Sequence, residues 1–282
     1  MIRCQPFAVS SFGTYTTCVQ SEDILTKKPP QADARIPYGQ DPNQFVDLRI
    51  PAGKGPHPVV FFIHGGYWRA KYDLTYAGHF CAALAKVGIA TWNVEYRRVG
   101  NPGGGWPGTF EDVRTAYRLL RGHNHQEQKN KDAGRFDLRR VCIVGHSAGG
   151  QLAACLAAFE KTVTGVISLA GVIDLHRAWE LHLSSDAASE FLGGSPEQVP
   201  EHYREASPAE RPIPQATQKI VHGTADTAVP YEIGKGYADA KKKAGEKVEL
   251  VTLDKTGHFE IVDPGSAVWG KIQGLCISLT HT

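Results

Sequence analysis

The apolar run Val141-Cys142-Ile143-Val144 breaks straight into Gly145-His146-Ser147-Ala148-Gly149-Gly150, and an Ala-rich stretch follows. A short continuous apolar run bounded by a turn reads as a strand buried on both faces. The Ala-rich stretch reads as a helix. Only a sharp turn fits between them. Such a turn strains its central residue, and only small neighbours let strand and helix come that close. Gly145, Gly149 and Gly150 are those neighbours. G-x-S-x-G in a strand–turn–helix frame is the pattern of a nucleophile elbow. It would present Ser147 at the helix N-terminus, where the helix dipole favours negative charge.

An elbow of this kind needs a sheet to stand on, and the same alternation recurs along the chain. Residues 45–50, 59–63, 89–94, 163–169, 219–222 and 248–253 read as further strands. Phe80, Leu84 and Val87 are spaced as on a helix, as are Phe110, Val113, Tyr117 and Leu120. Further helices are expected over 231–243 and 265–279. Strand and helix in strict alternation predict an α/β fold with a mostly parallel sheet, covered by helices on both faces. The stripe Val268, Ile272 and Leu275 is expected to face that sheet, and a homodimer is left open.

Two stretches depart from the rhythm. Almost fifty residues separate the strand ending near Ala170 from the one at Lys219, and a small cap or lid is expected near 174–213. Residues 1–40 read as an N-terminal extension, with residues 41–282 forming one domain. Disorder, a strand added to the sheet edge and a targeting segment are the three readings of that extension.

Composition narrows the partners. Lys and Arg number 31 against 29 Asp and Glu, a net charge of +2, which argues against nucleic acid held through phosphates. No apolar run approaches the roughly 18 residues of a membrane span. The first twenty residues lack the apolar core of a secretory signal. The six cysteines form no C-x-x-C pair, so no zinc site or other metal is expected. Cys81, Cys142 and Cys155 read as small buried hydrophobes with reduced thiols. A cytoplasmic protein is expected, with organelle targeting by the extension kept open.

A Ser hydroxyl needs a base to become a nucleophile. In elbow enzymes the acid and then the His follow the Ser, each beyond a later strand. Asp226, in His222-Gly223-Thr224-Ala225-Asp226, leaves the strand at 219–222. His258, in Thr256-Gly257-His258-Phe259, leaves the strand at 248–253. Asp174, Asp254 and Asp263 are rivals less well placed in that order. His64 and His222 stand at other strand ends and read as residues that hold loops. His64-Gly65-Gly66-Tyr67-Trp68 directly follows the strand at 59–63. Its two glycines let backbone N–H groups approach a developing oxyanion. Gly66 and Tyr67 are the first candidates, with Gly65 close behind and Ala148 after the nucleophile. Tyr67, Trp68, Trp106 and Trp179 could line an aromatic pocket, with His146 beside Ser147.

Together these elements resemble the α/β-hydrolase fold over about residues 40–280. His64-Gly65-Gly66-Tyr67-Trp68 resembles the HGGxW signature of the kynurenine formamidase group, within the broader hormone-sensitive-lipase-like esterases. Glu95-Tyr96-Arg97, followed by Pro107 and Glu111-Asp112-Val113, resembles that class too. The resemblance implies a serine hydrolase of carboxylic esters or aryl formamides acting without a cofactor. Ser147 would be nucleophile, Asp226 would orient His258, and Gly65, Gly66, Tyr67 and Ala148 would serve the oxyanion hole. Tyr67 stands where lipases of this class have a third Gly, and His146 where they often have Asp. The segment Asn101-Pro102-Gly103-Gly104-Gly105-Trp106-Pro107 is not tied to the formamidases and resembles uncharacterised esterase-like hydrolases. A non-catalytic binding protein of this fold and a thioesterase or peptidase are the alternatives.

Overall fold

The computed structural model describes residues 23–122 and 134–280. The readings of residues 1–22, Cys4 and Cys18 among them, lie outside the described residues. The strands are β1 (Ala34–Pro37), β2 (Phe45–Arg49), β3 (His57–Ile63), β4 (Ala90–Val94), β5 (Phe136–His146), β6 (Gly165–Leu169), β7 (Thr217–Gly223) and β8 (Val248–Leu253). They form one sheet in the order β1-β2-β4-β3-β5-β6-β7-β8. The pairs β1–β2 and β2–β4 are antiparallel, and every other pair is parallel.

Burial follows from covering both faces. All seven residues of β3 are buried, as are all five of β4 and of β6. Side chains alternate across a strand, so β3 feeds two cores. Val59, Phe61 and Ile63 join α3 (Gly108–Gly122), α4 (Ala148–Phe159) and α8 (Tyr231–Lys243) on one face. Val60 and Phe62 join α2 (Ala77–Lys86) and α9 (Trp269–Thr280) on the other. Phe62 meets Phe80 of α2 with ring centroids 4.7 Å apart. A fully buried side chain of this kind contributes roughly 1.5–3 kcal/mol.

The expected elements are present with three shifts. First, the sheet begins at β1, inside the segment read as an extension. Its register sets Arg35 opposite Asp47, and the guanidinium forks onto that carboxylate at 2.7 and 2.9 Å. Second, β5 starts at Phe136, where Asp137 ties back the arginines Arg139 and Arg140. Third, α9 starts at Trp269, not at residue 265. Asp263 explains the delay: its side chain accepts from the Gly265 amide at 2.8 Å and its carbonyl from Ser266 at 3.0 Å, which holds turns instead of helix. Ile272 and Cys276 of α9 are buried on the sheet, and Val268 and Leu275 are half-buried beside them.

The long excursion after β6 contains α5 (Leu175–Glu180), α6 (Ala187–Leu192), α7 (Pro200–Ala206) and a 3-10 turn at Pro208–Glu210. Asp174 is the N-cap of α5, accepting from the Arg177 amide at 3.0 Å. Phe191, Leu192 and Tyr203 sink into the core that α3 and α4 share.

The chain passes from β3 to β4 on one side, then returns to β5 on the other. Ligands of open α/β sheets bind at such a reversal, beyond the carboxyl ends of the strands. The loops leaving β3 and β5 carry Gly65, Gly66 and Ser147 to that crevice.

Candidate active site

Ser147 sits between β5 and α4 with φ 56° and ψ −123°. The left-handed φ costs energy, so the surroundings must enforce it. Its amide donates to the Leu169 carbonyl of β6 at 2.8 Å, and its carbonyl accepts from Gly150 and Val172. A Cβ on Gly145 would lie 1.9 Å from the Gly149 carbonyl oxygen, and one on Gly149 would lie 2.1 Å from that of Ile63. Neither position tolerates a side chain, which is why the motif carries glycine there.

Asp226 and His258 leave the ends of β7 and β8. His258 Nδ1 lies 2.7 Å from Asp226 Oδ2. The other carboxylate oxygen accepts from the Ala228 and Val229 amides at 2.9 and 2.8 Å. The Asp226 side chain is fully buried. Burial opposes its charge, but hydrogen bonds from His222 and His258, with the Val229 amide, outweigh it and hold the carboxyl well below the usual range.

His222 performs the loop-holding task expected of it. Its Nε2 lies 2.9 Å from the Val229 carbonyl oxygen and 3.5 Å from Asp226 Oδ2. A carbonyl can only accept, so Nε2 carries the hydrogen. His64 is likewise buried. Its ring stacks on Tyr96 at 4.4 Å, with Nδ1 2.8 Å from the Gly65 carbonyl oxygen and Nε2 3.0 Å from Glu95 Oε1. Burial works against charge on Glu95, but His64 and Arg98 outweigh it and lower its carboxyl.

Ser147 and His258 both line one pocket of about 320 Å³, together with Gly66, Tyr67, Tyr76 and His146. Leu25, Tyr72, Ser184, Ala228 and Phe259 also line it, so among the described residues the wall carries no Lys, Arg, Asp or Glu. Leu25 belongs to α1 (Asp23–Thr26) and, with Tyr72, remains 39% exposed. Such an apolar pair on the wall suits an uncharged apolar group. Tyr67 closes one side, its hydroxyl donating to the Ala228 carbonyl at 2.5 Å.

Four residues expected in the site fall elsewhere or lose their expected part. The Gly65 N–H donates to the Tyr76 hydroxyl at 2.7 Å, so it is not free to meet an oxyanion. The amides of Gly66, Tyr67 and Ala148 have no acceptor among the described residues. Trp68 is 1% exposed; its indole N–H donates to Gln151 Oε1 at 3.0 Å and its ring stacks on Phe191 of α6 at 4.5 Å. Trp106 stacks on Phe110 at 5.3 Å. Trp179 packs half-buried against the same core. These indoles secure the cap and the loop after β3 to the core instead of lining the pocket. The rival acids are also occupied elsewhere. Asp174 caps α5, Asp254 accepts from the Thr224 hydroxyl, and Asp263 holds the turn before α9.

Tyr72, Tyr76, Ser184 and Leu25 were not foreseen. None lies in a motif, and only the fold brings them to the crevice. The Tyr-Arg and acidic-helix pattern proves structural: Arg97 clasps Asp112 at the start of α3 at 2.8 and 2.7 Å. Among the described residues no group of His, Cys, Asp or Glu is arranged to hold a metal ion, and no helix is long and apolar enough to cross a membrane.

The site combines a strained serine, a histidine held by a buried carboxylate, and the unpaired amides of Gly66 and Tyr67 on one pocket whose described wall has no Lys, Arg, Asp or Glu, with the unpaired Ala148 amide next to Ser147. Acyl transfer requires that inventory.

Comparison with known proteins bears on the same point. Esterase LipC of Mycobacterium tuberculosis is 26% identical over 255 residues, covering 82% of this chain and 58% of LipC. The chain thus spans less than two thirds of that relative. The kynurenine formamidase of Danio rerio is 23% identical over 241 residues, covering 81% of this chain and 75% of that protein. Esterase B from Lactobacillus rhamnosis superposes with a TM-score of 0.76 at 19% identity, covering 93% of this chain and 91% of that one. At that identity the superposition establishes the α/β-hydrolase fold alone. The BD-FAE family model matches residues 46–240, and the chain belongs to that family.

Proposed function

We propose that this BD-FAE family member is a serine hydrolase that cleaves carboxylic esters or aryl formamides through an acyl-enzyme on Ser147. One observation carries the reading: His258, held by Asp226 at 2.7 Å, opens on the same uncharged pocket as the strained Ser147. His258 takes the Ser147 proton as the hydroxyl attacks the carbonyl carbon. The amides of Gly66, Tyr67 and Ala148 receive the oxyanion. His258 then hands its proton to the leaving alcohol or amine. It next activates the water that releases the acid and restores Ser147. Asp226 keeps the hydrogen on Nδ1 and steadies the imidazolium.

Esterases among the relatives support ester cleavage. The formamidase relative and the aromatic wall of Tyr67, Tyr72 and Phe259 support the formamide as second substrate. Among the described residues Cys81, Cys142, Cys155 and Cys276 are free thiols, which suits a reducing, cytoplasmic setting. The test is a rate comparison on a short-chain aryl ester and on N-formylkynurenine, with wild type and Ser147→Ala. Loss of both activities in the variant is expected. Full activity of Ser147→Ala would overturn the mechanism, and no turnover of either substrate by wild type would restore the binding-protein alternative.

A further inference from the structure

Besides the groups that touch the reacting atoms, a buried chain of hydrogen bonds crosses the site. The Gly65 N–H donates to the Tyr76 hydroxyl oxygen at 2.7 Å. That oxygen lies 2.8 Å from His146 Nδ1. His146 Nε2 lies 3.1 Å from the carbonyl oxygen of His258. We propose that Tyr76 and His146 are positioning residues for the acyl transfer, tying the oxyanion loop to the loop that carries His258. The proposal rests on the hydrolase reading given above.

The hydrogens in this chain have one consistent arrangement. The His258 carbonyl can only accept, so His146 Nε2 carries a hydrogen. His146 is fully buried and its ring centre is 4.6 Å from that of His258, so a second ring hydrogen, which would make it a cation, is disfavoured. Burial and the neighbouring His258 accordingly push the His146 imidazole well below its ordinary value. Nδ1 is then bare and accepts from the Tyr76 O–H. The tyrosine oxygen, having donated, accepts from Gly65.

The consequence lies in two peptide planes. Tyr76 fixes the plane between His64 and Gly65 through its N–H. His64 fixes the next plane by holding the Gly65 carbonyl at 2.8 Å. In a planar trans peptide the N–H points opposite to the C=O. The Gly66 N–H therefore points away from the His64 ring, and its direction is set before any substrate binds. At the far end, the His258 backbone is held by His146, and Tyr76 meets Phe259 edge-on at 6.2 Å. Donor and base are thus placed relative to each other through His146, the residue next to the nucleophile.

The test uses the full chain, a fluorophosphonate to titrate reactive Ser147, and an aryl acetate as substrate. Tyr76→Phe keeps the ring and removes the hydroxyl. We expect it to label, and its kcat per titrated site to fall about 10- to 100-fold with KM nearly unmoved, since displacements near 1 Å can cost that much. His146→Gln, whose side-chain amide can still donate toward the His258 carbonyl, should retain more activity per site than His146→Leu. If the residues merely support folding, titratable sites are lost while kcat per remaining site is unchanged, and that result overturns the proposal. Should Tyr76→Phe not fold, the Gln and Leu pair decides by the same criterion, equal values overturning it. Failure of wild type to label would instead overturn the Ser147 reading, and the positioning role with it.

Discussion

Replacing Asp226 by Asn tests the tautomer on which the mechanism depends. Asp226 Oδ1 accepts from the Ala228 and Val229 amides at 2.9 and 2.8 Å. The Asn side chain cannot turn its NH₂ toward two backbone donors, so its oxygen must stay there. The NH₂ then occupies the Oδ2 position, 2.7 Å from His258 Nδ1. It is a donor, so Nδ1 must become the acceptor and the ring hydrogen moves to Nε2. In the proposed mechanism that nitrogen receives the Ser147 proton. The resting imidazole would hold the wrong tautomer, and its cation would lose the carboxylate. The same exchange in a Ser-His-Asp triad lowers kcat about 10⁴-fold, or about 5 kcal/mol at 1.36 kcal/mol per tenfold. Both amide bonds to the side chain persist and, besides the His258 bond, only the 3.5 Å contact with the His222 Nε2–H is lost, so the fold should keep most of its stability. Aryl ester hydrolysis per titrated site at neutral pH, beside a urea titration, measures the two effects separately. A loss below about tenfold in a folded variant would refute the reasoning, because a wrong tautomer cannot be that mild.

Stability should depend on pH through His146. Its folded value lies well below 6.5, so below that pH the unfolded chain binds the extra proton and the fold does not. This contribution is complete above about pH 6.5 and is lost as pH falls, at up to about 1.4 kcal/mol per unit. Urea unfolding at several pH values should show a shallower acid-side slope for His146→Gln, and an unchanged slope would contradict the assignment. Gly149→Ala drives a Cβ to 2.1 Å from the Ile63 oxygen and 2.4 Å from that of His64. Because both atoms are backbone, we expect a loss of about 1–3 kcal/mol or more, read in thermal melts, with activity per site falling as the oxyanion loop shifts. Trp68→Phe leaves Gln151 Oε1 without its donor and should cost about 1–3 kcal/mol in the same melts. Trp179→Phe should change neither kcat nor KM, since the indole packs on the core away from the pocket.

What could be read from the chain depended on how locally each feature is determined. The strands of the two-faced core announce themselves, because residues such as Val59 to Ile63 must all be apolar when both sides are covered. β1 does not. Its burial alternates between half-buried and exposed, and its place depends on Arg35 meeting Asp47 on another strand. The start of α9 was hidden for a related reason: the turns that delay it hang on one side-chain hydrogen bond of Asp263.

The site divides along the same line. Ser147, Asp226 and His258 are readable because each has a fixed relation to its own strand end, and order along the chain supplies the rest. The tryptophans mislead because an aromatic side chain suits a pocket wall and a packed core equally well. Trp68 follows Gly65, Gly66 and Tyr67 in sequence, yet its backbone turn (φ 56°) accompanies an indole seated between Gln151 and Phe191. Gly65 fails as a donor for a reason no motif contains, since its partner Tyr76 stands eleven residues further on, outside any pattern. A motif states which backbone can approach a substrate. Which amides remain free when it does is decided by side chains from other segments, and here Tyr76 takes Gly65 and leaves Gly66, Tyr67 and Ala148.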